Sequence, residues 1–222
     1  MPLSLIIPTC NEGRSIRATL LALQSLRANG NELILVDGGS EDDTQAIARP
    51  LVDRLLVTAP GRGGQMAAGA EVARQPILWF LHADTLAPVQ ADRLIESALA
   101  DAGWGRFDVR LTGAHPLFRL IERLINLRSC LSGIATGDQG IFLRVELYQA
   151  IGGMPDQPLM EDVELSRRLK RHGRPVCLKP PLVTSSRRWE QHGILRTVVL
   201  MWWLRAAYAL GVPAERLARW YR

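Results

Sequence analysis

Four short, mainly apolar runs, at residues 3–7, 33–36, 52–57 and 77–81, alternate with three stretches of helical length at 15–29, 43–49 and 64–74. That alternation leaves few folds open. Strands joined in series by helical crossovers lie parallel in one sheet, because the right-handed connection returns each strand beside the last. The runs are continuous instead of alternating, which is the pattern of strands covered on both faces. In the first helical stretch Ile16, Leu20, Leu23 and Leu26 recur at helical spacing, and Asn29-Gly30 supplies a stop.

Polar clusters follow these strands. Pro8-Thr9-Cys10-Asn11-Glu12 comes after the first, Asp37-Gly38-Gly39-Ser40 after the second, Gly61-Arg62-Gly63-Gly64-Gln65 shortly after the third, and His82-Ala83-Asp84-Thr85 after the fourth. Ligands of open parallel sheets bind beyond the carboxyl ends of the strands. Four such loops at one edge place a binding site there.

Past residue 100 the pattern loosens. Helices are expected at 116–127, 145–151, 161–171, 192–210 and 214–221, and strands at 107–111, 140–143 and 175–178. The expected organisation is one domain over 1–222. Residues 1–100 form a nucleotide-binding half, 101–190 an acceptor and catalytic half, and 191–222 a helical extension. With 47% apolar residues the 222-residue chain has ample material for a core, so a disordered or collagen-like chain is excluded. No segment reaches the roughly 18–20 apolar residues that span a bilayer. Three widely spaced cysteines, Cys10, Cys130 and Cys177, give neither a disulfide framework nor a metal-binding pair, and a reducing, cytoplasmic home is expected. The net charge of +5 comes from scattered arginines with few aromatic companions, which disfavours nucleic acid as a partner.

The common phosphate loops fail on inspection. A dinucleotide fingerprint from Gly61 needs glycine where Met66 stands, and a P-loop from Gly64 needs Lys and Ser/Thr where Ala70 and Glu71 stand. What remains is a glycine turn carrying Arg62 and Gln65 onto a helix start, a generic anion site. Asp84, at a strand's carboxyl end and facing phosphates, could hold a hard cation such as Mg²⁺ or Mn²⁺, or cap a turn before Pro88. Leu165 and Leu169 lie three and seven residues beyond Asp162. They place that acid near the inward edge of its helix, although acids also favour a first turn for its dipole.

The ordered set Ile7-Pro8-Thr9-Cys10-Asn11-Glu12, Val36-Asp37-Gly38-Gly39-Ser40-Glu41-Asp42-Asp43-Thr44, the glycine loop, His82-Ala83-Asp84 and Met160-Glu161-Asp162 resembles a family-2 glycosyltransferase of GT-A fold. Gly137-Asp138-Gln139-Gly140 and Ser185-Ser186-Arg187-Arg188-Trp189 further resemble a subset associated with arsenosugar biosynthesis and radical-SAM/selenodomain proteins. The resemblance implies an α/β GT-A fold: a single Rossmann-like domain with a mostly parallel central sheet flanked by helices and a helical C-terminal extension. It implies that Pro8, Thr9 and Glu12 line the nucleoside pocket and that Asp37 accepts a hydrogen bond from the base. Arg62 and Gln65 would meet base or diphosphate, and Asp84 would bind the metal as the last acid of the family's D-x-D motif. His82 stands in place of that motif's first acid, among the nucleotide-sugar contacts. Asp162 matches the usual catalytic base, with Glu161 beside it. Arg187 or Arg188, braced by Trp189, would grip the diphosphate, although Ser185 stands where processive relatives carry glutamine.

The implied activity is inverting, metal-dependent transfer from a nucleoside-diphosphate sugar to the hydroxyl of a small-molecule or lipid-linked acceptor. A sugar-1-phosphate nucleotidyltransferase is disfavoured by the absence of a glycine-rich loop directly after the first strand and by only two lysines, Lys170 and Lys179. A non-catalytic sugar-nucleotide-binding scaffold is disfavoured by retention of Asp84 and Asp162. In the C-terminal stretch Leu200, Trp203, Leu204 and Tyr208 fall near one helical face flanked by arginines. Packing or homodimerisation is the expectation there, with at most weak, salt-sensitive peripheral contact at the inner membrane face.

Overall fold

The computed structural model describes residues 1–221, the side chain of Arg188 excepted. Among these residues an eight-stranded sheet is formed by β1 (Ser4–Thr9), β2 (Glu32–Asp37), β3 (Arg54–Val57), β4 (Ile77–Phe80), β5 (Thr85–Leu86), β6 (Trp104–Leu111), β7 (Phe142–Arg144) and β8 (Val176–Thr184). Their spatial order is β3-β2-β1-β4-β7-β6-β8-β5. The helices are α1 (Ile16–Ala22), α2 (Gln24–Ala28), α3 (Thr44–Ala48), α4 (Arg62–Val72), α5 (Ala91–Ala98), α6 (Pro116–Ser132), α7 (Val145–Ala150), α8 (Glu161–Lys170), α9 (Arg187–His192), α10 (Ile194–Ala209) and α11 (Ala214–Tyr221).

The first four strands are parallel, as their helical crossovers require. Register pairs Ser4 with Glu32 and Thr9 with Asp37, so β1 and β2 end level and their loops emerge together. Beyond β4 the sheet is mixed: β7 runs against both β4 and β6, β8 runs with β6, and β5 runs against β8. The mostly parallel character thus belongs to the amino-terminal half.

Every residue of β1 and β2 is buried, and successive residues point to opposite faces. Leu5, Ile7, Leu33 and Leu35 pack with Leu20, Leu23 and Ile95 on one side of the sheet. Ile6, Ile34 and Val36 pack with Met66, Phe80 and Leu165 on the other. Burying each such side chain contributes about 1.5–3 kcal/mol. Gly69 lets α4 lie close on the sheet, since a Cβ there would stand 2.5 Å from Ile6 Cγ2.

A third cluster joins Leu204 and Ala207 of α10 and Leu217 of α11 to Leu159, Met160 and Val163 around the start of α8. The extension is thereby docked beside the predicted acidic pair. Leu200 and Tyr208 join this packing, whereas Trp203 stays half-exposed and stacks on Trp220 with centroids 4.5 Å apart. No helix among the described residues is long and apolar enough to cross a membrane.

Several boundaries differ from those expected. The helix foreseen at 15–29 divides at Leu23 into α1 and α2. The helix foreseen at 116–127 continues to Ser132 and stops at Gly133, whose φ of +68° suits a left-handed C-terminal position. The strand foreseen at 175–178 runs on to Thr184 through Pro180 and Pro181. These prolines lack donors, and the β6–β8 register skips there, from Phe107 opposite Leu178 to Asp108 opposite Pro181. Gly193, at φ +84°, separates α9 from α10.

Candidate functional site

The ends of β1 and β4, the start of α4, the start of α8 and the end of β8 open onto one cavity of about 980 Å³, roofed by α6 and α10. Pro8, Thr9, Glu12, Arg62, Gln65, His82, Asp84, Asp162 and Arg187 all line it. Asp37 and Glu161 do not line it, and the side chain of Arg188 lies outside the described residues.

The two leading loops are held together by hydrogen bonds. The Asn11 N–H donates to Ser40 Oγ at 2.8 Å and the Glu41 N–H to Asn11 Oδ1 at 2.9 Å. Glu12 N–H donates to Thr44 Oγ1 at 2.8 Å and Gly13 N–H to Asp42 Oδ2 at 2.9 Å. Asn11 adopts φ +54°, a conformation its short polar side chain tolerates. The Thr44 hydroxyl and the Gly13 N–H together hold the Asp42 carboxyl below its ordinary range.

Asp37 is fully buried, and its Oδ1 accepts from Gly39 N–H at 3.0 Å, Ser40 N–H at 2.7 Å and Gln45 Nε2 at 2.9 Å. In this structure it organises the β2 loop behind the cavity wall. Gln65 is also committed: its Nε2 donates to the Thr9 carbonyl at 2.7 Å and the Val36 carbonyl at 2.8 Å, bridging the parting of β1 and β2. Arg62 reaches across from α4 to pair with Glu161. Burial works against the guanidinium, but the charges of Glu161 and Asp162 hold it above its ordinary range.

Met160 takes φ +64° at the turn into α8, which sends Glu161 to the ion pair and Asp162 to the cavity. Asp162 Oδ2 accepts the Gly137 N–H at 2.7 Å, and its Oδ1 accepts the Val163 N–H at 2.7 Å. These two bonds fix the orientation of the carboxyl group. His82 sits against Gly137, with Nε2 shut away from solvent and lacking a hydrogen-bond partner. Burial and then the charge of Arg62 push its pKa down to about 3, so the imidazole is neutral.

Across the cavity, burial and then the charge of Glu12 push the Asp84 carboxyl up. Arg187 Nη2 lies 3.1 Å from Glu12 Oε1, tying α9 back to the β1 loop. Among the described residues no group of three metal-binding side chains occurs. A single carboxylate at a polar cavity wall fits a Mg²⁺ or Mn²⁺ that takes its remaining ligands from diphosphate and water.

Sequence reasoning did not single out Arg128 or Arg205, and it left Asp138 between a pocket contact and a turn cap, yet all three line the cavity. Asp138 Oδ1 is buried without a partner, and burial followed by the charge of Asp162 pushes its carboxyl up, against the Thr136 hydrogen bond. The Thr136-Gly137-Asp138-Gln139-Gly140 turn was the available signal for Asp138. Nothing in the amphipathic pattern of α6 or α10 separates Arg128 or Arg205 from surface arginines.

The family model described as glycosyl transferase family 2 matches residues 4–109. The chain is 25% identical to the probable glycosyltransferase YdaM of Bacillus subtilis, across 99% of this chain and 58% of that protein. It is 34% identical to a PGL/p-HBAD biosynthesis glycosyltransferase of Mycobacterium bovis, across 67% of this chain and 61% of that protein. The chain therefore spans about three-fifths of the length of these relatives. A solved structure of the mannosyltransferase PcManGT from Pyrobaculum calidifontis, in complex with GDP-Man and Mn²⁺, aligns with a TM-score of 0.63 at 22% identity, covering 82% of this chain and 56% of that one. That likeness is one of fold, and the fold is of the GT-A type.

Proposed function

Residues 4–109 belong to glycosyl transferase family 2, and from that premise we propose that the chain is an inverting, metal-dependent glycosyltransferase using a nucleoside-diphosphate sugar. The observation that carries this reading is the placement of Asp162. Its carboxylate is held by two N–H groups and opens onto the same cavity as Asp84, Arg62 and Arg187.

The donor lies over the ends of β1 and β4, with its nucleoside against Pro8, Thr9 and Glu12. Asp84 would hold the divalent cation, which when bound would stabilise charge growing on the departing diphosphate. Arg187 is in reach of the diphosphate on leaving Glu12, and its planar fork suits two phosphate oxygens. Asp162 takes the proton of the acceptor hydroxyl as that oxygen attacks the anomeric carbon, and the bond from that carbon to the diphosphate breaks on the opposite face. Inversion follows from that geometry. Glu161 acts through Arg62 and positions the start of α8. The loops at 137–140 and 185–189 support membership of the arsenosugar-associated subset.

The test is turnover over a panel of sugar nucleotides with Mn²⁺ and with Mg²⁺, followed by Asp162→Asn on the productive donor. Asp162→Asn should retain donor affinity and lose at least about 10²-fold in kcat, the lower range for acid–base catalysis. Full activity in Asp162→Asn, with loss in Glu161→Gln, would transfer the role of base to Glu161.

A further inference from the structure

The polar centre fills only one end of the cavity. The other end runs between α6 and α10, where Leu124 and Ile125 face Met201 and Trp202. Leu124 is 47% exposed and Trp202 68% exposed, although each belongs to a residue type that is ordinarily covered. On α6 the exposure continues as a stripe through Leu120, Leu127 and Leu131, at spacings of three and four. A contiguous apolar surface of this kind marks a binding face, not random exposure.

Two cations stand where the apolar channel meets the polar centre. Arg128 of α6 and Arg205 of α10 both line the cavity, and neither forms an ion pair among the described residues. Arg128 donates one long hydrogen bond, 3.4 Å to the Ile134 carbonyl. Burial and then the nearby Arg205 push Arg128 down to about 10, while burial lowers Arg205 as well. Asp138 and Asp162 act on both from a distance, and Arg106 and Arg167 oppose them. Two partly buried guanidiniums with open donors call for an anion.

We propose that the groove between α6 and α10 is the acceptor subsite and that it takes an amphiphile. Its apolar chain lies along Leu124, Ile125, Met201 and Trp202, and its anionic group is held by Arg128 and Arg205. This deepens the reading of the site given above and rests on it for the word acceptor. The placement sets the polar end of the amphiphile beside Asp162 and leaves the β1 and β4 ends to the donor.

The probe is dodecyl phosphate below its micellar concentration, read by calorimetry and by tryptophan emission. Inorganic phosphate, decyl phosphate, dodecanol and UDP with Mn²⁺ serve as separate arms. Dodecyl phosphate should bind and shift emission, with affinity falling about fourfold for each methylene removed from the buried chain. Arg205→Gln should weaken it at least tenfold, and Met201→Asp should abolish the dependence on chain length. Both variants should keep wild-type affinity for UDP with Mn²⁺, which shows that they are folded. Equal affinity for inorganic and dodecyl phosphate would overturn the proposal, as would Arg205→Gln behaving like wild type. Adsorption to anionic vesicles without any saturable dodecyl phosphate binding would assign the face to a membrane surface and overturn it too. Binding of dodecyl phosphate with no binding of UDP or GDP would uphold the amphiphile groove and defeat the donor reading.

Discussion

Replacing Gln65 by methionine isolates one bridge at the donor edge of the sheet. Methionine keeps the length and nearly the volume of glutamine, so the side chain still fills its buried place while both hydrogen bonds vanish. The bonds lost are those to Thr9 O at 2.7 Å and Val36 O at 2.8 Å. Thr9 O retains the Gly38 N–H at 2.8 Å, so that carbonyl keeps a partner and its loss is near the ordinary 1 kcal/mol. Val36 O also stays in the β1–β2 ladder opposite the end of β1, so its loss is again near the ordinary 1 kcal/mol. The expected destabilisation is therefore about 1–3 kcal/mol, a sizeable part of the stability of an ordinary domain. For a chain of this size it corresponds to a fall in Tm of about 2–12 °C. Urea unfolding of wild type and Gln65→Met checks the figure. A difference under about 0.5 kcal/mol at unchanged m-value would refute the claim that this amide holds the two strand ends together.

Further outcomes follow from the same geometry. Asp84→Ala should lose the dependence of nucleotide affinity on Mn²⁺ or Mg²⁺ in a titration calorimeter while the apo protein keeps its Tm. Arg62→Ala strands the buried Glu161 carboxylate and should cost about 2–4 kcal/mol, below the usual range for a broken buried pair because solvent reaches Arg62. Glu161→Gln keeps an acceptor oxygen and should cost less than Arg62→Ala in the same denaturation assay. Arg187→Lys should raise KM for the donor several-fold, since a lysine supplies charge without the fork, whereas kinetics equal to wild type would place Arg187 outside the diphosphate site.

The amino-terminal half was legible because its signals are local. A continuous apolar run, a helical repeat and a polar loop recur in order, and each tells its own short story about β1, β2 and β4. The second half depends on partners far along the chain. β8 runs on past 178 through Pro180 and Pro181, which supply no ladder donors, because β6 skips register around them. The helix start at Glu161 was legible, but which of Glu161 and Asp162 reaches the cavity is set by Met160's left-handed turn and by an arginine 99 positions earlier. Arg128 and Arg205 were illegible for a related reason. An arginine on an amphipathic helix looks the same in sequence whether it faces water or a cavity.

The contact between His82 and Gly137 ties together the histories of two segments 55 residues apart. A side chain at 137 would place its first carbon 2.6 Å from His82 Nε2, so the imidazole and the bare backbone occupy one shared volume. Position 137 cannot gain a side chain while the imidazole stands there. A lineage that replaces His82 with a short acid vacates the space and frees position 137 to acquire a side chain. A lineage that keeps the imidazole must keep the glycine. Across an alignment of this chain's relatives a side chain at the second column should therefore occur only where the first has lost its histidine, and a histidine at the first with a branched residue at the second should be missing.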